Sequence, residues 1–174
     1  MISAARDLIA SRIVRWLVVS AWILMAVSAA SAQTKKSPAA KPGGDAEFAV
    51  LLERYCQGWS GLNPDTVAPL YAQDADLVFY DLAPFQYKGW AEYREGVQKT
   101  FFDKLSSIKV TCGDDLRVTR RGNVAWTTMT LHILMVGKDG RPGQVDARHT
   151  AIWEMRGNHW LIVHEHVSIP LPAS

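Results

Sequence analysis

The second half of this chain is punctuated by three short polar turns, Arg121-Gly122-Asn123, Lys138-Asp139-Gly140 and Arg156-Gly157-Asn158. Each gap between them holds a run rich in β-branched and aromatic residues. Glycine and asparagine tolerate the left-handed backbone of tight hairpins, so this punctuation commits the region to antiparallel pairing. The spacing predicts strands over 106–118, 123–136, 144–156 and 159–168. Side chains alternate along a strand. In the central one Ala125, Thr127, Met129, Leu131 and Ile133 fall on one side, with Trp126, Thr128, Thr130 and His132 on the other. Both sides are mixed in character. That suits a sheet curved around a pocket on one face and meeting a partner on the other, and suits a plain wet face less well.

The residues ahead of these strands follow a helical period. Phe48, Leu51, Leu52, Tyr55 and Trp59 form one stripe behind Asp45, a candidate cap, and Gly61 closes it. Asn63-Pro64 opens a second, shorter helix carrying Val67, Leu70 and Tyr71, which Pro69 limits to about two turns because it lacks a backbone donor. A strand over 77–81 comes next. Pro84 and Gly89 then frame a loop into a third helix with Trp90, Tyr93, Val97 and Phe101 on one stripe. The pattern predicts an α+β fold whose strongly curved antiparallel sheet is covered by three N-terminal helices. With 174 residues in all, one domain over 45–170 fills the chain. A formal net charge of +2 without a basic stripe argues against a nucleic-acid partner.

The first 32 residues read as an export signal. Arg6, Arg12 and Arg15 precede an apolar run from Trp16 to Ala30, which closes in the small-x-small sequence Ala30-Ser31-Ala32. The run is broken by Ser20 and Ser28 and is short for a spanning helix, so membrane contact is expected only through the uncleaved signal segment. Cleavage near Ala32 implies a periplasmic or secreted protein. Residues 33–44, QTKKSPAAKPGG, have nothing to bury and read as a flexible linker. Export would put Cys56 and Cys112 in an oxidising compartment where they could pair. Small thiols are also common in cores, and two buried thiols are the expectation, with the disulfide as the alternative.

Several stretches together resemble the SnoaL-like branch of the nuclear transport factor-like superfamily, which also contains ketosteroid isomerases and calcium/calmodulin kinase association domains. They are Leu70-Tyr71-Ala72-Gln73-Asp74-Ala75, Gly89 at the third helix, and the ending Arg148-His149-Thr150-Ala151-Ile152-Trp153-Glu154 … Gly157-Asn158-His159-Trp160-Leu161-Ile162-Val163-His164-Glu165-His166-Val167-Ser168. The resemblance covers about 45–170. It implies a cone-shaped α+β fold, a pocket inside the cone and frequent dimerisation through the sheet. No single activity follows, since one scaffold hosts many.

Ketosteroid isomerase-like chemistry needs a carboxylate base and donors that hold an enolate oxygen. The resemblance places Tyr55, after Arg54, at the oxyanion-hole tyrosine, but the base position falls on Phe79 and the second donor on Ala151. Asp81, two residues along the same strand face, stands as a substitute base, so Asp81, Tyr55 and His149 are the candidate catalytic residues. Association domains carry inward arginines, and here those positions read Thr128, Ala151 and Val167. Tyr93, Trp126, Thr128 and Glu165 are instead the candidate pocket lining. His164 and His166 share a strand face and could grip an ion, but no third ligand joins them, because His149 falls on the opposite face. No metal and no cofactor are expected, and hydrogen bonding within the sheet or at a dimer seam is the role assigned to that pair. Nucleophile-elbow, P-loop and dinucleotide glycine patterns are missing from the sequence. The leading expectation is an exported homodimer with a pocket for a small, apolar or weakly polar molecule and no firm catalytic set. The alternatives are a proton-transfer enzyme using Asp81 with Tyr55 or His149, and a non-catalytic assembly domain.

Overall fold

A computed structural model describes residues 44–82 and 84–171; the expected signal segment over 1–32 and all but the last position of the 33–44 linker lie outside the described residues. Helix α1 spans Gly44–Trp59 and α2 spans Gly89–Thr100. The strands are β1 (Val78–Tyr80), β2 (Tyr87–Lys88), β3 (Leu105–Cys112), β4 (Arg117–Arg121), β5 (Val124–Gly137), β6 (Pro142–Arg156) and β7 (His159–Ser168). They form one sheet in the order β2-β1-β7-β6-β5-β3, with β4 also paired to β5. The result is the expected cone-like α+β architecture, two helices against the inner face of a curved, open sheet.

The core follows the sequence periods. On α1, Phe48, Leu52, Tyr55, Cys56 and Trp59 are buried; on α2, Trp90, Tyr93 and Val97 are. On β5 the inward set is Ala125, Thr127, Met129, Leu131 and Ile133, as alternation requires. Register shifts at Leu105/Ser107 and at Ile152/Trp153 break the ladders of β3 with β5 and β6 with β7. Such irregularities increase local twist and bend a strand, which helps wrap the sheet around the helices.

Four expectations are corrected. The second helix is replaced by two 3-10 turns, Pro64–Thr66 and Ala68–Leu70. Pro69 cannot donate a helical hydrogen bond, and Tyr71 is drawn into extended backbone where it bridges Ile162. The sheet is mixed: β1 runs parallel to β7, because the chain enters the sheet edge from the Tyr71 side and leaves through a hairpin to β2. The strand expected over 106–118 is split. β3 and β4 pair with successive halves of β5, and Asp115 in the break accepts from both the amide and the hydroxyl of Thr130 at 2.8 Å.

The fourth correction concerns the cysteines. Cys56 on α1 and Cys112 at the end of β3 are joined as a disulfide, with Cα atoms 6.0 Å apart. The helix packs its Cys56 face onto β3, which brings the two residues within bridging reach.

Candidate functional site

Between the two helices and the inner face of the sheet lies a cavity of about 220 Å³. Its wall is largely aromatic and aliphatic. Tyr55 and Trp59 come from α1, Tyr93 from α2, Phe102 from the turn after α2, and Val110 and Leu131 from the sheet. Tyr87 completes the wall because Gly96 makes room for it: a Cβ there would stand 2.1 Å from the Tyr87 ring. Gly89 lets α2 start where it does. Its φ of +68° is left-handed, and its amide donates to Leu77 at 2.6 Å.

Asp81 stands at the edge of this cavity, just past β1, and is half-buried. It also borders an open hollow on the outside of the sheet, beside Tyr80, Phe85 and His166. Burial pushes its carboxyl up to about 6, assisted by the nearby negative charge of Glu165. The Leu82 amide, donating to Oδ1 at 2.7 Å, pulls the other way, as do Tyr93 and His149. The outcome is a carboxyl poised between its two protonation states near neutral pH, opening onto an apolar space.

Behind the Tyr93 wall is a second carboxylate. Glu165 on β7 is completely buried. Its Oε1 accepts from the Tyr93 hydroxyl at 2.6 Å, and its Oε2 from the Tyr71 hydroxyl at 2.7 Å. His149 Nε2 lies 3.3 Å from Oε2. Burial pushes the Glu165 carboxyl upward, but the bond and charge of His149 and the two tyrosine donors outweigh it and hold the group below its ordinary value. Burial, reinforced by these carboxylates, pushes the hydroxyls of Tyr55, Tyr71 and Tyr93 well above the usual range, so they remain proton donors. The Tyr55 ring packs 4.8 Å from the His149 ring, and His149 Nδ1 and Trp59 Nε1 are buried without a hydrogen-bond partner among the described residues.

The structure therefore gathers Asp81, Tyr55, Tyr93, Glu165 and His149 at one cavity and the layer behind it. It separates Trp126 and Thr128 from them, and these two are corrections. Trp126 pairs with Ile152 and Thr128 with Thr150, in register positions that point outward. Trp126 is 39% exposed and Thr128 is exposed. His149 pairs with Met129, an odd-numbered member of β5, so inward parity belongs to the odd set and even-numbered Trp126 must face out. Phe79, the aligned base position, stacks on Tyr93 at 5.1 Å between ring centroids. His164 and His166 occupy the outer face with Tyr80, and His164 Nδ1 lies 2.7 Å from the Val78 carbonyl oxygen, a hydrogen bond within the sheet. Sequence reasoning missed Tyr71 as a Glu165 donor, and Trp59, Tyr87 and Phe102 as cavity wall. Tyr71 carried a usable signal in its place within the family-like Leu70–Ala75 stretch; the others read only as core.

The profile of the SnoaL-like domain matches residues 49–172. A search of curated proteins returns no match. Among solved structures, a nuclear transport factor 2 (NTF2-like) superfamily protein from Salmonella enterica serovar Typhimurium superposes with a TM-score of 0.69 at 20% identity, covering 75% of this chain and 93% of that one. A candidate calcium/calmodulin dependent protein kinase II association domain from Xanthomonas campestris is similar at 26% identity and a TM-score of 0.62, over 76% of this chain and 93% of its own. A candidate dehydratase of the NTF2-like family from Streptomyces avermitilis gives a TM-score of 0.66 at 17% identity, over 75% and 100%.

Proposed function

This chain belongs to the SnoaL-like domain family, and on that footing we propose that its cavity binds a small, mainly apolar molecule and that Asp81 moves a proton on it. One observation carries the reading: a half-buried carboxyl with a proton affinity near pH 6 opens onto an otherwise apolar cavity. A general base works best when its pKa lies close to the operating pH and water is kept from the reacting atoms. Asp81 is the acceptor. Tyr55, which keeps its proton at all working pH values, is the donor at hand for a developing oxyanion, since the Tyr93 hydroxyl already gives its one proton to Glu165. Glu165 and His149 stay behind the wall and hold Tyr93 in place. Dehydration, the activity named for the candidate dehydratase from Streptomyces avermitilis, is one reaction such an arrangement serves.

Export and pairing belong to the same proposal. The Cys56–Cys112 disulfide supports an oxidising compartment, since such bonds persist outside the cytosol. Exposed Trp126 and Leu134 on the outer face of the sheet support a homodimer through that face. The chemistry is tested by deuterium wash-in: cyclohexanone and 3-cyclohexen-1-one are incubated with the protein in D2O, and incorporation α to the carbonyl is followed by NMR. Wild type is expected to accelerate exchange. Asp81→Asn is expected to lose about 10²-fold or more of that acceleration. Equal rates for the two proteins contradict the assignment.

A further inference from the structure

The geometry points to a definite ligand class for this cavity: a single-ring molecule that is not an anion and whose one hydrogen-bond donor is turned to Asp81. The inference rests on the binding reading above and adds size, charge and polarity to it.

Size comes from volume. An apolar cavity of about 150 Å³ accommodates benzene, so the ~220 Å³ here holds roughly nine non-hydrogen atoms at the same packing. That is one ring with two or three substituent atoms. A fused four-ring skeleton needs more than twice this space. The wall cannot readily yield it, because Trp59, Tyr93 and Phe102 pack on one another with ring centroids 5.8 Å apart from Trp59 to each of the others. Orientation comes from Asp81. It marks one end of the cavity, bordering both the enclosed space and the outer hollow, so a ligand bonded to it extends inward and has its length limited by the far wall.

Charge comes from the groups that face the space. Asp81 lines it from the end of β1, and Glu165 lies behind Tyr93 from β7, held in its charged form. His149, from β6, is engaged with Glu165 rather than with the cavity. Lys104, from the turn after α2, is the one lysine or arginine among the lining residues and is itself exposed. With Glu165 set behind the wall and offset by His149, the half-buried Asp81 carboxylate stands against one solvated ammonium and disfavours an anionic ligand. Polarity follows from the donor inventory. A carboxylate only accepts, so its preferred partner is a ligand hydroxyl or amide N–H. Ether or halogen substituents offer no donor to the Asp81 oxygen that the Leu82 amide leaves free.

Isothermal titration of the purified chain at pH 7.5 with phenol, anisole, benzoate and estradiol tests this. Phenol is expected to bind, with anisole and benzoate each weaker by about tenfold or more, the loss expected for one hydrogen bond to a charged group. Estradiol, which carries the same phenol at the end of a fused four-ring body, is expected not to bind. Asp81→Leu should remove the preference for phenol over anisole. If that variant does not fold, Asp81→Asn serves instead: it keeps an acceptor oxygen and hence the phenol preference, while benzoate affinity rises. Estradiol bound as tightly as phenol, benzoate or anisole matching phenol in the wild type, or no phenol binding at millimolar concentration overturns the inference. Deuterium wash-in that persists beside such a result leaves the proton-transfer reading standing. Phenol selectivity without wash-in leaves the ligand class standing alone.

Discussion

Tyr93→Phe removes a single oxygen from the most enclosed part of the molecule. The Tyr93 ring stacks on Phe79 at 5.1 Å and meets Tyr87 at 5.1 Å and Trp59 at 5.8 Å, and phenylalanine preserves all three contacts, so no void forms beyond the lost hydroxyl. What disappears is the 2.6 Å bond to Oε1 of Glu165, a carboxylate with no solvent to replace it. A hydrogen bond to a charged buried group contributes about 2 kcal/mol, within a range of roughly 1.5–3. For a domain of this size that corresponds to a fall in Tm of about 6–10 °C at neutral pH. The effect has a pH signature. Glu165 titrates below its ordinary value in the folded chain, so its stabilising share is complete above the ordinary carboxylate range and is lost as pH falls through the folded value. The difference between wild type and variant should therefore narrow in acid. Differential scanning calorimetry at pH 7 and at steps down through the acid range measures both. A Tm change under 2 °C at neutral pH, or a drop that does not shrink in acid, refutes the assignment of Tyr93 as a donor to a charged Glu165.

Other perturbations have equally definite signs. Asp81→Asn should raise Tm at pH 8 and leave it unchanged near pH 4: the folded carboxyl gains its proton near 6 rather than at 3.8, so wild-type stability declines between those values as pH rises and is flat above them. Replacing Cys56 and Cys112 with serine opens a loop 56 residues long and should cost ~4 kcal/mol by chain entropy, read as a lower urea midpoint. Gly96→Ala drives a methyl into the Tyr87 ring and should cost ~1–3 kcal/mol by overpacking, while weakening phenol binding because a cavity wall has moved.

Most of the architecture was legible in the sequence because it rests on local chemistry. Glycine turns at 122, 140 and 157 each take a positive φ, and the strands they delimit sit within a few residues of expectation. Failures occur where long-range geometry decides. Pro69 announces a short helix, but only the pairing of Tyr71 with Ile162 on the far strand converts that stretch into 3-10 turns leading to a sheet edge. The strand broken at Gly113 depends on Asp115 finding Thr130, fifteen residues away. Within the site, Asp81, Tyr55, Tyr93, His149 and Glu165 were individually visible as polar residues at inward positions. Their division into a cavity layer and a buried layer was not, since it depends on how deep α2 seats against β7 and β1. Trp126 shows the limit of local pattern: strand alternation grouped it with Thr128, but both sides of β5 were mixed in character, and only the register of Met129 with His149 shows that this side faces out.

The account stands on the burial of the Asp81 carboxyl at the edge of an apolar cavity. Carbon-13 NMR of the side-chain carboxyl, assigned by comparison with Asp81→Asn and titrated from pH 3 to pH 9, reads this directly. A midpoint close to 6 is the predicted result. A midpoint at or below the ordinary aspartate value of 3.8 would mean a solvated side chain and would remove the proposed proton acceptor.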